Sequence, residues 1–471
     1  MKIKHHEIIP NADNPFTECK LEREPYARIL TDIVNTYADG FVLAINNEWG
    51  TGKTTFVKMW QQHLKNEGFQ TIYFNAWEND FDSNPLIAIM SELETLSNTK
   101  NKEDFKPILE KGAVLLKNVA PALLKAVVNK YIDSEVISET IKNTAKASTK
   151  ILEESIKEYS SKKKTIAEFR VELEKFVKQA GNTKPLVFII DELDRCRPTY
   201  AVEVLEQIKH FFSVPGIVFV LSIDKKHLAS SVKGFYGSDL IDSNEYLRRF
   251  IDLEYSITEP KIKEFNRYLY EYYELCDFFS LPERMSSYEI REDGHLLLKM
   301  ADTLFIKSNA TLRQQERVFA LTRLILCSFN SKQYTFAHLL FMLIYLKVMQ
   351  NEIFQKIERN ELSLQKLSDL FFEITHLEEE GFNSSNMLFI EAMLIWFYNN
   401  NQEDLRDREG LYVVESFANT LSSPIKSKFE DKGFGESLAR CFYDIHRSNY
   451  GHLKLEYLIK KINLTEPIKA K

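Results

Sequence analysis

The segment Asn47-Glu48-Trp49-Gly50-Thr51-Gly52-Lys53-Thr54 decides how the rest of the chain is read. An apolar run, Phe41–Asn46, bounded by Gly40, precedes it, and a stretch of helical character, Lys53–Lys65, follows. A short apolar run beside a turn residue reads as a buried strand, so the order is strand, glycine loop, helix. That context fits the pattern GxxxxGK[ST], in which backbone N–H groups and a helix N-terminus hold phosphate. Gly52 lets the backbone approach the phosphates, Lys53 is placed to reach the β- and γ-phosphates, and the Thr54 hydroxyl is placed to coordinate Mg²⁺. Asn47, Trp49, Gly50, Thr51 and Thr55 complete the expected nucleotide-binding set. The first glycine of the pattern is replaced by Asn47. Asparagine tolerates a left-handed backbone, so the loop is expected to form with Asn47 in the glycine's place.

A second motif strengthens the first. Leu186–Ile190 is wholly apolar, as a central parallel strand should be, and ends in Asp191-Glu192. Asp191 is expected to hold the hydration shell of Mg²⁺ and Glu192 to orient an attacking water as its base. The competing reading is that two acids merely favour a helix N-terminus. Asp194 is a weaker base candidate, expected to pair with Arg195 or Arg197. Cys196 has no histidine neighbour in sequence and reads as a packed thiol. Ser222 and Asp224 end the fourth strand, where a polar sensor faces nucleotide. Asp224 is equally a good helix N-cap.

Working outward, further strands are expected at Gln70–Phe74, Ile217–Ile223 and Ile251–Ile257, with helices between them. From Ile87 to Gly181 the signals are almost purely helical, and Ile166, Phe169, Leu173, Phe176 and Val177 share one face. Gly181 reads as the stop of that helix. Beyond Lys261 only helical periodicity remains. The expected fold is α/β: a P-loop NTPase parallel sheet with a helical insertion, followed by an all-helical C-terminal region. Its domains are expected at 14–260 (core, insertion about 87–181), 261–330 (helical lid) and 331–471 (helical domain).

Two arginines stand out. Arg248, in Tyr246-Leu247-Arg248-Arg249-Phe250, ends a helix before the fifth strand and looks like the subunit-boundary arginine of AAA-type ATPases. Such an arginine, supplied in trans, stabilises transition-state charge. It equally suits a helix C-terminus. Arg313, in Thr311-Leu312-Arg313, resembles a sensor arginine on a helical lid. The catalytic candidates are therefore Glu192, Lys53 and Arg248.

Composition narrows the rest. The chain has 471 residues, 44% hydrophobic and 27% charged, with net charge −7, the balance of an ordinary globular protein. An acidic whole gives no electrostatic advertisement for nucleic acid. Five scattered cysteines without a paired motif argue against a disulfide framework or zinc site and for a reducing cytoplasm. Met1–Asn11 lacks the apolar core of a secretory signal. Tyr334–Leu346 falls short of the roughly 20 residues of a membrane span. Ala113–Val128 is broken by Lys117, Asn118, Pro121 and Lys125, so a membrane is not an expected partner.

Three strings together, Glu48–Thr54, Phe74-Asn75-Ala76-Trp77 and Ile190-Asp191-Glu192-Leu193-Asp194-Arg195-Cys196, resemble the KAP family of P-loop NTPases. Leu221–Lys225 resembles that family's fourth-strand end, and the resemblance spans about Asn14 to Arg323. Glu192 stands where the family commonly has Asp. Many members carry membrane helices between the two motifs, whereas the insertion here has a soluble character. The resemblance implies a Mg²⁺-dependent ATPase acting as a regulatory or assembly switch, by family association in bacterial anti-phage defence. Self-association or a protein partner is implied with it. A nucleotide-dependent binding module with little turnover, or a nucleic-acid motor or loader, are the alternatives. Trp77 is expected in the core, and Asn75 is a lesser candidate for bonding the loop or a Mg²⁺-bound water. Lys53→Ala is expected to weaken ATP binding by about a hundredfold or more, the loss of charge-assisted hydrogen bonds. Titration with a fluorescent ATP analogue checks it; unchanged affinity would remove the loop from the site.

Overall fold

The computed structural model describes residues 9–17, 19, 21–81, 84–97, 102–117, 148–180, 184–237, 241–258, 260–308, 310–375, 384–402, 408–415, 420–430 and 437–464. The described residues divide into two compact units, within 7–259 and 260–471.

The first unit is built on five parallel strands: β1 (Val42–Asn46), β2 (Thr71–Asn75), β3 (Leu186–Asp191), β4 (Ile217–Ile223) and β5 (Leu253–Tyr255). Their order is β2-β3-β4-β1-β5, every pair parallel. β3 and β4 are buried along their whole length, which is why their sequences run apolar without alternation. One sheet face, with Leu43, Ile45, Val187, Ile189, Val218 and Val220, packs with residues of the helices Glu24–Thr36 and Lys53–Asn66. The other, with Ala44, Phe74, Phe188, Ile190, Phe219 and Leu221, packs with the insertion and the helix Pro198–Gln207.

The insertion is helical, with Pro85–Glu94, Lys102–Lys117 and Ser148–Ala180 between β2 and β3. Phe169, Leu173, Phe176 and Val177 are buried and Ile166 packs beside them, so the face read from the sequence is the packed one. Gly181, and Ala113–Val128 beyond Lys117, lie outside the described residues. β5 is shorter than its sequence run. It is the edge of the sheet, and past Tyr255 the ladder gives way to a side chain: Ile257 N–H donates to Asn47 Oδ1 at 2.9 Å.

The second unit is helical, as the periodicity implied, with one addition. Val413–Glu415 and Thr420–Ser422 form a short antiparallel ribbon. Its centre is the helix Ala337–Met349, buried from Ala337 through Leu346. No helix among the described residues is long and apolar enough to cross a membrane.

Gly40 starts the turn into β1 at φ +101°, and a Cβ there would lie 2.7 Å from the Ile217 carbonyl oxygen. Gly40→Ala is therefore expected to cost roughly 1–3 kcal/mol. A lowered thermal unfolding midpoint is the check; an unchanged midpoint would mean the turn relaxes freely.

Candidate functional site

The phosphate loop leaves β1 and enters the helix Lys53–Asn66 through Gly52, whose left-handed backbone (φ 78°, ψ 27°) makes it the N-cap. No side chain caps this helix, so its first-turn N–H groups are left to a ligand or water. Gly50 is also left-handed, at φ 80°. Asn47 is not among the positive-φ residues, which corrects the reason expected for it. Its amide works as a piece of sheet edge: Nδ2 donates to the Ile257 carbonyl at 2.7 Å while Oδ1 accepts from Ile257 N–H. A glycine there would lose both bonds.

Lys53 is buried, and its Nζ donates to the carbonyls of Asn47 (2.5 Å) and Glu48 (3.0 Å). Burial lowers its pKa, against the opposing pull of Asp194, Asp224 and Asp191. Thr54 and Thr55, half-buried, follow it on the first turn. Thr51 Oγ1 donates to the Glu48 carbonyl at 2.8 Å, tightening the loop.

Across the strand ends, Asn75, Asp191 and Ser222 are in register on β2, β3 and β4. Buried Asp191 accepts from the Tyr73 hydroxyl at 2.9 Å and from Glu192 N–H at 3.0 Å. Glu192 sits in the left-handed region at φ 60°, a strained place for a residue with a Cβ. Burial raises the pKa of its carboxyl, Arg195 opposes that, and Asn75 hydrogen-bonds it. The Arg195 guanidinium pairs with Glu192 Oε1 at 2.6 Å and lies 5.6 Å from the centre of the Trp77 ring. Trp77 is 53% exposed, which corrects the expectation of a core residue. Its place is beside Arg195, because the chain turns outward directly after β2. Asn75 Oδ1 caps that turn, accepting from Trp77 and Glu78 N–H.

Asp194 does not pair with either expected arginine. Arg195 is taken by Glu192 and Arg197 by Asp80. Asp194 is buried and accepts from the Trp49 indole N–H. Trp49 in turn stacks on His227, with ring centres 3.6 Å apart. Asp224 accepts from Trp49 N–H and from the first N–H groups of the helix Lys225–Tyr236, and pairs with His227 at 3.0 Å. Asp224 thus serves as the N-cap and as a brace for the loop. Burial pushes the Cys196 thiol far up, in keeping with a packed thiol.

Sequence reading missed Arg23. It is 3% exposed, and its two terminal nitrogens donate to the carbonyls of Thr51 (2.7 Å) and Gly52 (3.1 Å). It braces the loop from behind. Nothing local marks it, since the bond spans almost thirty residues. His227 was also missed, because a histidine inside a helix carries no signal until Trp49 folds onto it.

Arg248 belongs to the first unit and Arg313 to the second. Arg248 ends the helix Ser243–Arg248, faces solvent and pairs with Glu245 at 2.9 Å. Arg313 is exposed on the helix Leu312–Leu326 of the second unit, behind a capping box of Thr311 and Gln314. Among the described residues no group of His, Cys, Asp and Glu forms a self-sufficient metal cage. Phosphate-bound Mg²⁺ needs none, keeping waters and phosphate oxygens beside one or two protein ligands.

The chain matches the profile described as "KAP family P-loop domain" over residues 23–378. A search of curated proteins finds no match. Among solved structures, the Aeropyrum pernix ORC2 protein in ADPNP–ADP complexes is similar at 13% identity and TM-score 0.35, over 96% of this chain and 87% of that one. Drosophila ORC bound to DNA is similar at 11% identity and TM-score 0.34, over 84% and 76%. C. elegans PCH-2 is similar at 13% identity and TM-score 0.30, over 71% and 68%.

Arg23→Ala is expected to weaken nucleotide binding about tenfold or more, by freeing two loop carbonyls, with Arg23→Lys recovering only part. A point charge cannot replace a planar fork across two acceptors. Equilibrium nucleotide titration of both variants checks it; wild-type affinity in Arg23→Ala would make the brace irrelevant.

Proposed function

We propose that this chain, which belongs to the KAP family of P-loop NTPases, hydrolyses ATP with Mg²⁺ and uses the cycle as a regulatory or assembly switch. One observation carries the reading. A buried Lys53 at an uncapped helix N-terminus faces a strand end that presents Asp191 and a strained Glu192. The residues suit the nucleotide. The helix end and loop amides favour anions, and Lys53 can exchange its loop carbonyls for phosphate oxygens. Thr54 and Asp191 would hold Mg²⁺, which supplies charge neutralisation at the phosphates.

Glu192 is the base. Its raised pKa makes it a better proton acceptor than an ordinary glutamate, and Arg195 holds it away from premature contact until it is released. Arg248, exposed on its own subunit, acts in trans on a neighbour's phosphate. Residues 261–330 serve as a helical lid with Arg313 as its sensor, and 331–471 as a separate helical domain. Five scattered cysteines without a paired motif fit a cytoplasmic setting, and family association fits a defence system.

Glu192→Gln is expected to keep ATP binding and lower turnover by about a hundredfold or more. Hydrolysis by the wild type should fall on acidification at a pH above the usual glutamate range, since protonated Glu192 cannot accept. Wild-type turnover in Glu192→Gln would move the base elsewhere, with Asp194 next.

Specific activity should rise with protein concentration, and Arg248→Ala should lower the rate about tenfold or more without weakening ATP binding. Mixing Arg248→Ala with Lys53→Ala should restore part of the activity, each supplying what the other lacks. Rates measured with and without DNA separate the switch from a nucleic-acid motor. Concentration-independent activity without complementation would rule out a self-supplied arginine.

A further inference from the structure

The second unit contains a cleft of about 230 Å³, built entirely from its own residues. His338 lines it. Its imidazole is 5% exposed, and neither ring nitrogen has a hydrogen-bond partner. Buried polar groups are nearly always paired, because an apolar side chain of the same size avoids the desolvation cost. Both nitrogens are closed off as well as unpaired, so His338 contributes to the cleft's inner wall. Burial drives the His338 pKa down to about 4, so at neutral pH one nitrogen is a bare acceptor.

The adjoining backbone is strained as well. Phe336, directly before the helix, lies at φ 44°, ψ 54°, a conformation a bulky residue adopts only when its surroundings impose it. That turn brings three rings together. Tyr334 and Phe336 are stacked with centres 5.6 Å apart, and Tyr450 meets them edge-on at 5.7 and 5.5 Å.

Charge decides the class of ligand. Among the described residues no lysine or arginine lines the cleft, while Glu289 and Asp293 do. Asp293 is already compensated by the buried Arg284 and by Thr335. Glu289 is exposed and, among the described residues, accepts from neutral donors, the Tyr334 hydroxyl and Asn449 Nδ2. Its charge therefore remains uncompensated at the opening. Aromatic faces beside a free carboxylate attract cations and repel phosphates.

We infer that this cleft binds a small organic cation, an alkylammonium or guanidinium group. The rings of Tyr334, Phe336 and Tyr450 line its site, Glu289 is its counter-ion and buried His338 forms part of the inner wall. The cleft is too small and too acidic for a second nucleotide. A free amine and a Lys or Arg side chain of a protein segment present the same chemistry.

The test is titration calorimetry on the full chain with tetramethylammonium, ethylammonium and methylguanidinium chlorides. Neutral tert-butanol and sodium acetate at matched ionic strength are the controls. At least one cation should bind saturably at millimolar concentration or below, tert-butanol at least tenfold more weakly, and acetate not at all. Glu289→Gln, at an exposed position, should weaken the cation at least tenfold with ATP affinity unchanged. Tyr450→Leu, which removes one of the three rings, should weaken the cation as well. No saturable cation binding, equal binding of tert-butanol, or full affinity in Glu289→Gln would overturn the inference. N-acetyl-lysine amide and N-acetyl-arginine amide distinguish the sources. Binding tenfold tighter than the free cations identifies a protein side chain, and weaker binding identifies a free amine.

Discussion

A buried ammonium cannot stand alone, and much of the first unit follows from how that of Lys53 is accommodated. Two loop carbonyls accept from it, and three carboxylates, Asp191, Asp194 and Asp224, offset its desolvation. Those acids need partners of their own. Asp191 takes Tyr73 and Glu192 N–H, Asp194 takes Trp49, and Asp224 takes a helix N-terminus and His227. The loop is thereby tied to two neighbouring strand ends before any ligand arrives. Fixing such dipoles in advance is what lets a site act on charge without reorganising.

The sheet dictates where this can happen. β3 and β4 are buried on both faces, so no charge is tolerated along them and polar residues collect at their ends. In open parallel sheets the carboxyl ends of strands are where ligands bind. The order β2-β3-β4-β1-β5 puts the loop after β1 next to β4 and one strand from the acids of β3. Strain gathers there too: Glu192 holds a left-handed backbone that its neighbours enforce. In the second unit the same logic operates without an acidic strand end. A long buried helix carries one histidine into its core, and the buried pair of Arg284 and Asp293 anchors the turn leading to it.

Much of the site was legible because its signals are local. Glycines at 50 and 52 announce backbone that only glycine adopts cheaply. Lys53 and Thr54 follow at fixed spacing, and an apolar run ending in Asp191-Glu192 reads as a strand end. What failed were inferences about partners. Asn47 was credited with a tolerant backbone but works through its side chain on residue 257. Trp77 was expected in the core, yet it is exposed because the chain turns at Asn75. Asp194 was assigned to the adjacent arginines and instead accepts from Trp49.

By itself, then, the sequence determined the class of sheet, the phosphate loop, the acidic strand end and the helical character of the insertion and of most residues beyond Pro260. Each is written in periodicities and spacings shorter than about ten residues, where backbone geometry translates directly into side-chain pattern. Only the tertiary structure decided that Arg23 braces the loop, that Trp49 stacks on His227, and that Arg195 belongs to Glu192. It alone decided that His338 is left unpaired beside three rings. Most of those contacts join residues far apart in the chain, and burial selects among the many hydrogen-bond partners each side chain could have taken.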